Sequence, residues 1–139
     1  MIQNNSIRFV DDMHKNFYLG QVRKLKADSY LRSLIYTLGM CHDTRRHFDN
    51  IYDTGKRCII PEAIRKPWQT GSSLKVTRLA FQLFTDSTPT VFIENTPDIK
   101  ECMRYSVSDI FCCSFAPYFF DAINLRYPQY LTHRLYFNE

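Results

Sequence analysis

The sequence contains no run of 18 consecutive apolar residues, so it holds no candidate for a helical membrane span. It has only four glycines in 139 residues, too few for the many tight turns of an all-β fold. No Cys-x-x-C occurs. The five cysteines, Cys41, Cys58, Cys102, Cys112 and Cys113, are odd in number and irregular in spacing, and match neither a disulfide framework nor paired zinc ligands. Spaced glycines ending in Gly-Lys-Ser/Thr are also missing, which excludes a P-loop. Lys and Arg are scattered, and the net charge is only +4, less basic than a dedicated nucleic-acid binder tends to be. Residues 1–6 are polar and carry no apolar export segment. The cysteines are therefore expected to be reduced thiols in a cytoplasm.

Aromatics are abundant: nine Tyr, eleven Phe and one Trp. That load argues against disorder, and a chain of this length buries roughly two thirds of its surface on folding. Apolar spacing then reads as a series of helices. Asp11 or Asp12 caps a helix over 11–26 bearing Met13, Phe17, Tyr18, Val22 and Leu25. Asp28 caps a second with Leu31, Leu34, Ile35 and Leu38 inside and Gly39 at its end. Asp43 caps a third, with Phe48, Ile51 and Tyr52 inward. A turn at Thr54-Gly55-Lys56, an extended Cys58-Ile59-Ile60 and a short helix opened by Pro61 and stopped by Pro67 follow. Thr70-Gly71-Ser72-Ser73 opens the strongest later helix, with Val76, Leu79, Ala80, Leu83 and Phe84 buried. Residues 86–104 are irregular, with Thr90-Val91-Phe92-Ile93 a brief strand or loop plug and a turn at Asn95-Thr96-Pro97-Asp98. Ser106 and Asp109 form a capping box. Pro117 opens, and Pro128 closes, a last helix with Tyr118, Phe119, Ala122 and Ile123. Residues 1–6 are expected to be loose, and the tail bearing Leu131, Leu135, Tyr136 and Phe137 to pack. The expected fold is all-α: one domain over 1–139, of about five to seven short helices and little or no strand.

Four runs carry a family likeness. They are Arg8-Phe9-Val10-Asp11 with His14 and Phe17-Tyr18; Tyr36-Thr37-Leu38-Gly39 with Cys41, Asp43-Thr44-Arg45 and His47-Phe48; Pro61-Glu62-Ala63 and Trp68-Gln69-Thr70-Gly71 with Val76-Thr77-Arg78-Leu79-Ala80-Phe81; and Phe111, Cys113, Phe115-Ala116-Pro117-Tyr118-Phe119-Phe120, Ala122-Ile123 and Leu125-Arg126-Tyr127-Pro128. Over most of residues 8–130 the chain resembles an uncharacterised family of small proteins from clostridia and related Gram-positive bacteria. That family is a domain of unknown function often carried on phage-like or conjugative elements. The last run is the most specific, and residues 86–104 agree least. The resemblance implies a bacterial or phage cytosolic protein and no particular activity.

Several constellations bear on function, each beside a plainer use. Thr70, Gly71, Ser72 and Ser73 at a helix start, with Lys75 and Arg78 following, form a candidate anion site; the plainer use is helix capping, with Trp68 packed as a staple. Asp43 and His47, with Cys41 or His42, are a weak metal set, and His14 and His133 would have to arrive from elsewhere. Adjacent Cys112 and Cys113 invite redox ideas, but in a helix they point about 100° apart, so at least one is expected in the core. Arg23, Lys24, Lys26, Arg45, Arg46, Lys56, Arg57, Arg65 and Lys66 would make a nucleic-acid patch if folded together, or otherwise a solvated surface. Trp68, Tyr118, Phe119, Phe120, Arg45 and Arg46 are candidate partner contacts. No catalytic residue, metal or cofactor is assigned. The expected function is a non-enzymatic protein-interaction module, encoded by a bacterium or mobile element and modulating host machinery or defence. A nucleic-acid-binding accessory protein is the alternative, and a small enzyme the second alternative.

Overall fold

The computed structural model describes residues 7–130. The expectations for residues 1–6, for His133 and for Leu131, Leu135, Tyr136 and Phe137 lie outside that range. In chain order the elements are α1 (Asp12–Leu25), α2 (Ser29–Gly39), α3 (His42–Arg46), α4 (Phe48–Ile51), β1 (Tyr52–Asp53), β2 (Cys58–Ile59), a 3₁₀ helix (Pro61–Arg65), α5 (Gly71–Thr85), β3 (Phe92–Ile93), β4 (Thr96–Pro97), α6 (Ile99–Cys102), α7 (Val107–Phe111) and α8 (Ala116–Arg126). The strands form two antiparallel pairs, β1 with β2 and β3 with β4. The fold is mainly α, and none of the helices among the described residues is long and apolar enough to cross a membrane.

α2 is the centre, with α1, α5 and α8 packed around it. Eight of its eleven residues are buried, more than the single stripe its leucines predict, as for a helix enclosed by neighbours. Its polar residues survive there by bonding to their own helix: Ser33 Oγ donates to Tyr30 O and Thr37 Oγ1 to Ser33 O. Asp11 and Asp28 cap α1 and α2 through their side chains. Asp43 does not cap α3: the N-cap is Cys41, without a side-chain bond, and Asp43 sits inside the first turn. The α1 stripe holds at Phe17, Tyr18, Val22 and Leu25 but not at its first position. Met13 is 62% exposed, whereas His14 and Tyr18 are buried, because the α1 face toward α2 runs through His14, Phe17 and Tyr18.

Gly39 ends α2 as expected, but not by adopting a left-handed conformation; none of the glycines does. A Cβ there would lie 2.8 Å from Phe17 Cδ2 and 3.0 Å from His14 Cδ2, so its bare backbone sets how closely α1 approaches α2. Gly39→Ala is expected to cost about 1–3 kcal/mol through overpacking, read as a lower urea midpoint with an unchanged m-value. The left-handed positions fall instead to Lys26, Arg57, Asp86, Glu94 and Asn95. Glu94 and Asn95 are the two central residues between β3 and β4, where a tight hairpin needs positive φ at both.

At the far end of α8, Arg126 joins three helices. Its Nε donates to Leu83 O at 2.7 Å, its Nη2 pairs with Asp86 at 2.5 Å, and its guanidinium lies 3.5 Å from the centre of the Tyr30 ring. Cys112 and Cys113 lie in the turn after α7. Cys112 is exposed, and Cys113 is half-buried and packs against the core.

Candidate functional site

α5 starts with a reciprocal cap. Thr70 Oγ1 accepts from Ser73 N–H, Ser73 Oγ accepts from Thr70 N–H, and Ser73 Oγ donates to Gln69 Oε1 at 2.6 Å. Thr70 and Ser73 are thus occupied in holding the helix end, and Ser73 is fully buried. Beyond them α5 forms one wall of an open cleft of about 690 Å³, through Gly71, Leu74, Lys75 and Arg78. Ile64 and Arg65 of the 3₁₀ helix, Ile93 of β3, and Asp98, Lys100, Glu101 and Arg104 in and beside α6 complete it.

Two ion pairs brace this cleft. Arg78 and Glu101 are both buried and meet in a fork, Nε to Oε2 at 2.7 Å and Nη2 to Oε1 at 2.8 Å, the bidentate geometry that makes such pairs strong. Arg65 reaches Asp98 at 3.4 Å, while the other oxygen of Asp98 accepts from Glu101 N–H and caps α6. Tyr105 OH lies buried beside the pair without a hydrogen bond of good geometry. Burial and the nearby Glu101 charge push its pKa above the usual tyrosine range.

Of the anion-site candidates, Gly71, Lys75 and Arg78 line the cleft. Arg78 is a correction to that set, because its guanidinium is buried and engaged by Glu101. The partner-contact candidates do not gather into one patch. Trp68 stacks on His47 with ring centres 4.1 Å apart and planes 2° from parallel. Arg45 donates to Gly39 O at the end of α2, and Arg46 is exposed. Tyr118 lies under the Arg8 guanidinium. Phe119 is completely buried and leaves the set, because the α8 face toward the core passes through it, whereas Phe120 beside it is exposed against Phe111.

His47 Nδ1 faces Asp43 O at 2.9 Å, which orients the ring without bringing in further ligands. Among the described residues no three His, Cys, Asp or Glu side chains are placed to share a metal ion. The basic residues singled out in the sequence disperse: Arg23 and Lys24 in the last turn of α1, Lys26 at its end, Lys56 and Arg57 between β1 and β2, with Arg65 alone of them in the cleft. Lys100 and Arg104 were missed. Their signal was Asp98 as an N-cap followed by two cations four apart, hidden in a segment read as irregular.

These features define a small mainly α domain with a cation-lined cleft between α5, the 3₁₀ helix and the β3–β4–α6 segment. The chain belongs to the family of unknown function DUF6075, whose model matches residues 4–138. No curated protein and no solved structure matches it.

Proposed function

We infer that the chain is a non-enzymatic protein-interaction module whose docking face is built on residues 92–107. One observation carries this. Of the ten exposed large hydrophobics among the described residues, Phe92, Ile93, Ile99, Met103 and Val107 fall in that stretch, the last three at 69%, 73% and 73% exposure. Single apolar residues on a surface need no explanation, but five on one short stretch of chain, with Ile93 among them lining the cleft, favour a partner. The likeness to small clostridial proteins on mobile elements supports a bacterial or phage cytoplasmic setting, with host machinery or defence as the target. The cations of the cleft favour nucleic acid as the second reading.

The test is affinity purification from host lysate with and without nuclease, using the native chain and the Ile99→Asp/Met103→Asp variant. A stoichiometric protein that survives nuclease and binds the variant about 30-fold more weakly is expected, equivalent to losing one interface hot spot. Both positions are solvent-facing, so the variant should melt with the native chain. Material released by nuclease, or a protein captured equally by the variant, would remove this reading.

A further inference from the structure

Five cations line the cleft against two carboxylates. Glu101 is spent on Arg78, and Asp98 on Arg65 and on the cap of α6. Lys75, Lys100 and Arg104 have no ion-pair partner among the described residues. They stand on two walls, Lys75 on the second turn of α5 and the other two in and just after α6. Ile64, Leu74 and Ile93 add apolar lining between them. Resting on the interaction-module reading, we propose that the cleft takes an acidic segment of the partner protein. Its spaced carboxylates pair with Lys75, Lys100 and Arg104, and its apolar side chains lie on Leu74 and Ile93.

The chemistry separates this occupant from nucleic acid. Asp98 and Glu101 face into the same cleft. Both are neutralised by their own arginines, so the discrimination comes from Ile64, Leu74 and Ile93 in the same lining. A peptide carries apolar side chains to cover them between its carboxylates, whereas a phosphate backbone carries a charge at every residue and no apolar side chain. The cleft volume falls in the range of about 300–1,000 Å³ usual for ligand clefts.

The experiment is selection of a random 12-residue peptide display library on the purified chain, with the selected peptide then titrated by fluorescence anisotropy. The expected peptides are rich in Asp and Glu interleaved with apolar residues. Their affinity should fall with salt, and about tenfold in K75Q/K100Q/R104Q, since each screened pair contributes only a fraction of a decade. If that variant loses its melting transition, the single K100Q and R104Q variants replace it, each with a smaller loss expected. Selected peptides that are not acidic, or that bind the variants unchanged, would overturn the cleft proposal and leave the interaction module standing. No enrichment above background would bring down both. A 20-nucleotide single strand that binds more tightly than any selected peptide, and loses that binding in the variant, would overturn the proposal in favour of a nucleic-acid groove.

Discussion

Replacing Glu101 by Ala is expected to destabilise the protein by about 3–5 kcal/mol, the usual cost of removing one member of a buried ion pair. Arg78 would keep its charge inside the protein, 7% exposed on α5, with both of its hydrogen bonds to Glu101 gone. Against a total stability of about 5–15 kcal/mol for a domain, that loss is a large fraction of the whole. The pair Arg78→Met/Glu101→Leu should recover most of it, because an apolar pair of similar volume avoids the cost of burying both charges. Urea unfolding of the two single variants and the double variant gives the coupling directly. A Glu101→Ala loss below about 1 kcal/mol, the range of exposed pairs, would show that the pair is solvated after all. The same pair joins α6 to α5, so its rupture should also open the cleft. The cleft cations are therefore better tested at Lys75, Lys100 and Arg104.

His14→Leu is expected to cost about 1–4 kcal/mol: the buried Tyr36 carbonyl left without its partner costs about 1–3 kcal/mol, and the half-buried Val10 N–H, which water can reach in part, adds less. The ring is fully buried and bonded at both nitrogens. Val10 N–H donates to Nδ1 at 3.0 Å, so Nδ1 is the acceptor, and Nε2–H donates to Tyr36 O at 2.8 Å. That fixes a neutral tautomer, since a proton on Nδ1 would face the Val10 donor. Around it Phe9 lies on the His14 ring edge-on, Tyr36 OH donates to Arg8 O, and the Arg8 side chain pairs with Asp121 of α8 at 2.9 Å. His14 thereby holds the segment before α1 against α2 and α8.

Burial, above all, lowers the His14 pKa below its ordinary value near 6.5; Arg45 adds to this, while the Tyr36 carbonyl and Asp11 oppose it. The unfolded chain therefore takes up the proton first. The contribution of neutral His14 is complete above about pH 6.5. It declines as pH falls through the unfolded value, by up to about 1.4 kcal/mol per pH unit, until the folded-state pKa is reached. His14→Gln cannot titrate but can donate toward Tyr36 O. The stability difference between the native protein and this variant should shrink between pH 7.5 and 5.5 in urea titrations. A difference constant across that range would mean that His14 is not the group responsible.

The local chemistry of several elements was legible in the sequence because it involves neighbours only. An Asp or Ser beside an apolar period reports the cap of α1, α2 or α7, and the Thr70 and Ser73 spacing reports the start of α5. The residues of the cleft were legible only in part. Gly71 and Lys75 follow a visible helix start, but Lys100 and Arg104 sit after a hairpin whose turn is Glu94-Asn95 rather than the glycine that advertises such turns. Phe119 and Phe120 are adjacent and chemically identical; only the direction of the α8 face buries one and exposes the other.

By itself, then, the sequence determined the helical character, the caps of α1, α2, α5 and α7, the absence of a membrane-spanning helix among the described residues and the leucine face of α2. Those properties follow from residue spacing and short-range hydrogen bonding. The tertiary structure alone decided that Arg78 meets Glu101 across 23 positions, that His14 is a core residue, and that Lys75, Lys100 and Arg104 share one cleft. Burial and long-range pairing depend on which faces pack together, and the packing of α5 against α2 and the short elements decides that, not any local pattern of residues.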